Sequence, residues 1–80
     1  MKKVLRLLVL LSLGASLSYA DDLMEGLSAY ESSDYSRAAT FFQSACEADN
    51  AEACYNLANM YDAGLGVYKD DAKAVALFTK

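Results

Sequence analysis

The sequence predicts an all-α fold, an α/α solenoid of antiparallel helix hairpins that follows an N-terminal signal segment. Apolar residues recur at helical spacing in four consecutive runs after residue 20, and no alternating run long enough for a strand is present. In addition, the segment DYSRAATFFQS from Asp34 aligns with DDAKAVALFTK from Asp70, at an offset of 36 residues. An internal repeat of this length is typical of stacked helical units, each of which buries its apolar face against a neighbour.

The first 20 residues, MKKVLRLLVLLSLGASLSYA, have the pattern of a secretory signal peptide. A basic head precedes an uncharged stretch from Leu7 to Ala20, which is shorter than the roughly 20 apolar residues of a membrane-spanning helix. Ser18 and Ala20 are small residues at the cleavage positions, so we expect a cut between Ala20 and Asp21. The mature protein would then be secreted or periplasmic and free of the membrane, with an uncleaved N-terminal anchor as the alternative.

Residues 21–80 keep all eleven acidic residues but only four basic ones, which gives the expected mature chain a net charge of −7. Nucleic acid and anionic membrane surfaces attract basic proteins, so neither is expected as a partner. A domain of this size buries only about 60% of its unfolded surface and is marginally stable without a covalent staple. The composition therefore favours a structural role for the cysteines.

Cys46 and Cys54 are the only cysteines, and the chain has no histidine. A structural zinc site needs about four Cys or His ligands, and a thioredoxin-like centre needs the C-x-x-C spacing, so both are disfavoured. An exported chain with one even pair favours a disulfide, and two free buried thiols are the alternative. The pair flanks a predicted turn at 48–50, so a bridge would clamp a helical hairpin.

Each of the four predicted helices carries an apolar stripe at i, i+3, i+4 spacing or its extension by one turn. In chain order the stripes are Leu23, Gly26, Leu27 and Tyr30; Ala38, Phe42, Ala45 and Cys46; Cys54, Leu57, Ala58 and Tyr61; and Ala74, Leu77 and Phe78. Asp34, the pair at 49–50 and Asp70 mark the starts of the second, third and fourth helices. Gly64 is expected to end the third helix in the left-handed conformation, and Gly66 to shape the following loop.

These stripes carry a resemblance to known repeats. In the first unit, 21–49, Gly26, Ala38, Phe42 and Ala45 stand at the small and aromatic positions of a tetratricopeptide repeat. The second unit, 50–80, has a longer loop and resembles a Sel1-like repeat that is incomplete at its C-terminus. The matching positions of the second unit are Leu57, Ala58, Tyr61, Gly64, Gly66, Val67, Asp70 and Ala74.

With its export signal and C-x7-C pair, the chain resembles the Helicobacter cysteine-rich protein family of secreted Sel1-like repeat proteins. The resemblance implies a solenoid whose concave face binds a protein or peptide partner. It also implies an alternative, a penicillin-binding protein or β-lactamase with a β-lactam ligand. The chain's own residues give that alternative little support, because S-x-x-K, K-T-G and histidine are all missing from residues 21–80. No catalytic residue, metal ligand or cofactor is expected.

Two further expectations concern the partner surface and the length of the protein. Tyr55 follows Cys54 and should point away from the inner stripe, so it is the candidate partner contact. Glu47, Asp49 and Glu52 would suit a basic partner, although a solvated turn is the simpler interpretation. Phe42 is followed by the Ala-Cys pair at 45–46, whereas the second unit stops two residues after Phe78. We therefore expect an N-terminal fragment of a longer repeat protein.

Overall fold

The structure is a computed structural model, and it describes residues 21–80. This part of the chain forms helices without any strand, so the all-α prediction is confirmed there. The helices are α1 (21–31), α2 (Tyr35–Glu47), α3 (Ala51–Ala63) and α4 (Asp71–Phe78). The predicted signal peptide and Ala20, on one side of the expected cleavage point, lie outside the described residues.

Successive helices pack against one another as antiparallel hairpins. α3 packs against both α2 and α4, and short turns at 32–34 and 48–50 join the first three helices. α1 lies close against α2, because a Cβ atom placed on Gly26 would lie 2.7 Å from two ring carbons of Phe42. The order of packing follows the order of the chain, as expected for a helical solenoid.

The three helix–helix connections share the same backbone motif at the end of the preceding helix. Ser33, Asp49 and Gly64 each adopt a left-handed conformation, with φ of 63°, 66° and 64°. In each case the amide of the following residue donates a hydrogen bond to a carbonyl five residues back, at 2.9, 3.0 and 2.9 Å. This closure satisfies carbonyl groups that the helix end leaves without a partner. The role predicted for Gly64 is therefore found, while no left-handed conformation was predicted for Ser33 or Asp49.

Side-chain caps begin two of the helices. Asn50 Oδ1 accepts a hydrogen bond from the Ala53 amide at 3.0 Å, and Asp70 Oδ1 accepts one from the Lys73 amide at 3.0 Å. Asp34 stands at the N-cap position of α2, but its side chain makes no capping hydrogen bond. The starts of α3 and α4 were therefore predicted correctly, because both helices begin at a side chain that caps the first turn.

The core is made of small residues around a few large ones. The stripe predicted on α2 is fully buried, and on α3 Leu57 and Ala58 are buried with Cys54. Ala53 and Met60 are also buried, although they lie outside the predicted stripe. α3 has neighbours on two sides, so it buries two faces, whereas the i, i+3, i+4 pattern describes only one.

Two predicted core residues are exposed, and those predictions were wrong. Tyr30 is 42% exposed and Phe78 is 45% exposed, while Tyr61 is half-buried against the core. Phe78 lies on α4, which packs only on α3 in the described part of the chain. Tyr30 lies in the last turn of α1, where its ring contacts Tyr35 edge to face at 5.2 Å and its side chain also borders a pocket.

Candidate binding pocket

A narrow pocket of about 190 Å³ lies between α1 and α3, and we call it the α1–α3 pocket. Leu27 and Tyr30 line it from α1, Asn56 and Asn59 line it from α3, and Phe42 of α2 also borders it. At roughly 30 Å³ of liquid volume per water molecule, the pocket has room for about six waters or one long side chain. It is smaller than the roughly 300 Å³ from which small-molecule sites begin.

Helical spacing brings these side chains together. Leu27 and Tyr30 are three residues apart on α1, and Asn56 and Asn59 are three apart on α3, so each pair shares a helix face. The fully buried ring of Phe42 forms the floor, since the close approach of α1 to α2 holds the two helices beside it. The pocket therefore has apolar walls and an amide rim.

The amide groups on this rim belong to Asn56, which is half-buried, and Asn59, which is exposed. The structure gives neither Asn56 nor Asn59 a side-chain hydrogen bond to another residue within 21–80. No buried side-chain polar atom in this range lacks a partner, so the two amides face solvent rather than the core. Each amide has two N–H donors and one carbonyl oxygen. The pair can therefore donate hydrogen bonds to a guest or accept hydrogen bonds from it.

The two helices that form the pocket carry acidic residues and no basic ones. Their carboxylates belong to Asp21, Asp22, Glu25, Glu31, Glu52 and Asp62. Two of these are engaged with α2: Asp22 accepts a hydrogen bond from the Ser44 hydroxyl at 2.6 Å, and Glu25 lies 3.9 Å from Arg37. The four basic residues after residue 20 lie elsewhere, on α2, on α4, in the loop between α3 and α4 and at Lys80, so every charge on the two pocket-forming helices is negative.

The cysteine pair orients one wall of this pocket. Cys46 at the end of α2 and Cys54 near the start of α3 form a disulfide with a Cα–Cα distance of 4.7 Å, as predicted from the sequence. Both residues are buried, and no cysteine among the described residues is free. The bridge ties α3 to α2 at Cys54, in the same part of α3 as Asn56 and Asn59, so it restrains the amide rim relative to α2.

Tyr55, the predicted partner contact, is 59% exposed but does not line the pocket. Its ring lies edge to face against Phe78 of α4, with centroids 5.6 Å apart. Tyr55 and Phe78 therefore form an exposed aromatic patch, and Val75, three residues before Phe78 on α4, is exposed as well. Sequence reasoning identified Tyr55 as exposed but placed Phe78 in the core, and so it missed the patch.

The loop glycines and Asp70 border a larger, open depression of about 770 Å³ beside the α3–α4 loop. A Cβ atom on Gly66 would lie 2.5 Å from the Tyr35 carbonyl oxygen, so the loop packs tightly on the start of α2. The cations here already have partners. Lys73 Nζ lies 4.8 Å from the centre of the Tyr61 ring.

Lys69, in the same loop, pairs with Asp71 at 2.5 Å. That hydrogen bond raises the pKa of Lys69 above its ordinary value.

Residues 21–80 contain neither a metal-ligand cluster nor a membrane-spanning helix. Within residues 21–80, no group of three or more His, Cys, Asp or Glu side chains could hold a metal ion. None of the helices in this part of the chain is both long and apolar enough to cross a membrane.

The model of the Sel1 repeat matches residues 15–50 and 51–80 of this chain. The first match includes the short-loop unit that resembles a tetratricopeptide repeat, so the Sel1 pattern extends over both hairpins. No curated protein and no solved structure matches the chain. Since the two matches cover well over half of the sequence, the chain belongs to the Sel1 repeat family, whose repeats generally act as scaffolds for protein–protein interaction.

Proposed function

We propose that this protein is an exported, disulfide-clamped Sel1-repeat scaffold that binds a protein or peptide partner at the α1–α3 pocket. The observation that carries the proposal is the amide rim of that pocket, where Asn56 and Asn59 have no hydrogen-bond partner within residues 21–80. Tyr30 and Tyr55 are exposed nearby on the same two helices. Exposed tyrosines and unpaired amides beside an apolar floor are common features of protein interfaces.

The export component rests on the N-terminal sequence and on the cysteine pair. Residues 1–20 have the pattern of a secretory signal peptide, and a disulfide persists in the periplasm or outside the cell rather than in a reducing cytosol. On the same grounds we propose that the protein belongs with the secreted, cysteine-rich members of its family. N-terminal sequencing of the exported product tests this, with Asp21 as the expected first residue.

β-Lactam hydrolysis is not part of the proposal. The described residues include no histidine and no S-x-x-K sequence, and no side-chain cluster among them favours acyl transfer. The polar groups that line the α1–α3 pocket are two amides and a phenol, which suit recognition of a partner rather than nucleophilic attack.

Affinity capture tests the binding proposal directly. The whole chain would be expressed for export, immobilised with its disulfide intact, and exposed to envelope and secreted proteins of the source cells. We expect saturable capture by the unmodified protein and by Gln43→Ala, which removes an amide on α2 outside the pocket. Asn56→Ala combined with Asn59→Ala should reduce capture by about tenfold, as expected for loss of about 1.4 kcal/mol at an interface.

Two outcomes would contradict the proposal. Absence of any saturable partner would argue against a scaffold function. Equal capture by the double variant and by Gln43→Ala would place the binding surface elsewhere on the molecule.

A further inference from the structure

The chemistry of the α1–α3 pocket limits the side chain that it can accept. We infer that the pocket anchors a single arginine side chain presented by the partner. This inference rests on the proposed scaffold function and goes beyond it, because it names the residue that the partner must carry. It is drawn from the size, the lining and the charge of the pocket.

Size and lining favour one long amphipathic side chain. The volume of about 190 Å³ is too small for a folded element and too large for a methyl group. Leu27 and the Tyr30 ring offer apolar contact beside the buried Phe42 ring, while Asn56 and Asn59 offer polar contact at the rim. An arginine or lysine has the matching distribution, since its methylene stem covers apolar surface while its head stays polar.

Charge decides between a cationic and an anionic head group. Asparagine amides could donate hydrogen bonds to a carboxylate or accept them from a guanidinium, so the amides alone do not decide. α1 and α3 carry six carboxylates and no basic residue, so a negatively charged guest would be repelled. The carbonyl oxygens of Asn56 and Asn59 are therefore the groups that a guest would use.

Tyr30 adds a second reason for a cation. The protein already places Arg37 over the Phe41 ring at 5.5 Å and Lys73 over the Tyr61 ring at 4.8 Å. The Tyr30 ring has no such cation among residues 21–80, and it borders the pocket. A guest cation over this ring would make the contact that the chain makes internally at two other rings.

Arginine fits better than lysine because of the shape of its head group. A guanidinium presents five N–H donors in a flat fork, so it can reach two amide oxygens three residues apart while it stacks on an aromatic ring. A lysine ammonium is a compact, strongly hydrated charge that would lose more hydration energy at the apolar floor. The preference for arginine is therefore part of the inference.

The first experiment compares capped peptides of the form Gly-Ser-X-Ser-Gly, in which X is arginine, lysine, citrulline, leucine or glutamate. The ¹⁵N-labelled protein, expressed as the whole chain and recovered after export, would be titrated with each peptide by NMR. The arginine peptide should cause saturable shifts at Leu27, Tyr30, Asn56 and Asn59. Citrulline has the same shape without the charge, and its peptide should bind about tenfold more weakly.

Three outcomes of this titration would overturn the inference. The first is lysine, citrulline or leucine binding as tightly as arginine, and the second is tighter binding by the glutamate peptide. The third is a set of shifts that the arginine peptide causes in the amide signals of all the acidic residues, without saturation. That pattern would indicate general attraction to an acidic protein rather than binding in the pocket.

The second experiment changes the charge at the rim. Asn59 is exposed on α3, so its replacement leaves the core intact. Asn59→Asp should tighten binding of the arginine peptide about threefold to tenfold, and Asn59→Lys should abolish saturable binding. Gln43→Asp and Gln43→Lys make the same changes in net charge on α2, outside the pocket, and should alter the affinity less than twofold.

These controls separate failure of the anchor from failure of the scaffold function. Equal effects at positions 43 and 59 would show that net charge, not the pocket, attracts the peptide. Capture of a natural partner that Asn59→Lys does not weaken would overturn the arginine anchor and leave the scaffold proposal standing. Saturable arginine binding without any captured partner would instead count against the scaffold proposal.

Discussion

The Phe42 ring lies directly against the backbone of Gly26. A Cβ atom at position 26 would lie 2.7 Å from two carbons of this ring, closer than real Cβ atoms approach a neighbour. Phe42 is fully buried, so a shift of its ring would disturb the packing of the residues around it. The absence of a side chain at position 26 is therefore what allows α1 to approach α2 and form one wall of the α1–α3 pocket.

Gly26→Ala should destabilise the protein for this reason. Overpacking a filled core costs about 1–3 kcal/mol, which exceeds or offsets the roughly 1 kcal/mol that alanine gains over glycine in a helix. Ser28→Ala is the matched control, because Ser28 is exposed on the same helix. Chemical denaturation should show a lower free energy of unfolding for Gly26→Ala and an equal or higher one for Ser28→Ala. A stabilised Gly26→Ala variant would contradict the close packing described here.

The two phenylalanines at equivalent repeat positions allow one substitution to be tested in two environments. Phe42 is fully buried and Phe78 is 45% exposed. We expect Phe42→Ala to lower the free energy of unfolding by about 3–5 kcal/mol, or to prevent folding, as large-to-small changes in a core do. Phe78→Ala should cost about 1 kcal/mol, which is usual for a single substitution outside the core. Equal losses in thermal or chemical unfolding would mean that Phe78 is covered in solution.

The disulfide should stabilise the hairpin of α2 and α3. A bridge across a loop of this length is worth about 2.5 kcal/mol in the chain-entropy model, so the double substitution Cys46→Ala with Cys54→Ala should lose about that much. Reduction of the unmodified protein should produce a similar loss, and a reductant should not change the double variant. Non-reducing peptide mass mapping of the exported protein would contradict the bridge if it found two alkylatable thiols.

The helices and their ends were largely predictable because their signals are local. The apolar spacing on α2, the caps at Asn50 and Asp70 and the left-handed Gly64 depend only on residues within one or two helical turns. The cysteine pair was also predictable, since both residues flank one short turn. No alternative pairing of two cysteines within one chain exists.

The pocket was not predictable, because it depends on contacts between helices distant in sequence. Asn56 and Asn59 share a helix face in the sequence, but nothing local shows that Leu27 and Tyr30 lie across from them. The exposure of Phe78 likewise depends on which helices pack against α4. The repeat pattern carries no information on that packing, so it predicted burial. A pair of polar residues three apart on a helix between two apolar stripes was the one signal that could have suggested the rim.

Ser33 occupies the same left-handed position after α1 that Gly64 occupies after α3, with φ of 63° and 64°. A left-handed conformation costs an L-residue such as serine about 1 kcal/mol or more, whereas glycine adopts it without a steric penalty. Ser33→Gly should therefore raise the free energy of unfolding by about 0.5–1 kcal/mol, because relief of this strain outweighs the extra freedom of glycine in the unfolded chain.

Ser32→Gly is the matched control, since Ser32 is the exposed neighbour and does not have a positive φ. The control should lose stability, because glycine there increases only the entropy of the unfolded state. Thermal unfolding of both variants would give melting temperatures that move in opposite directions. Two variants that both melt below the unmodified protein would show that Ser33 does not hold the left-handed conformation in solution.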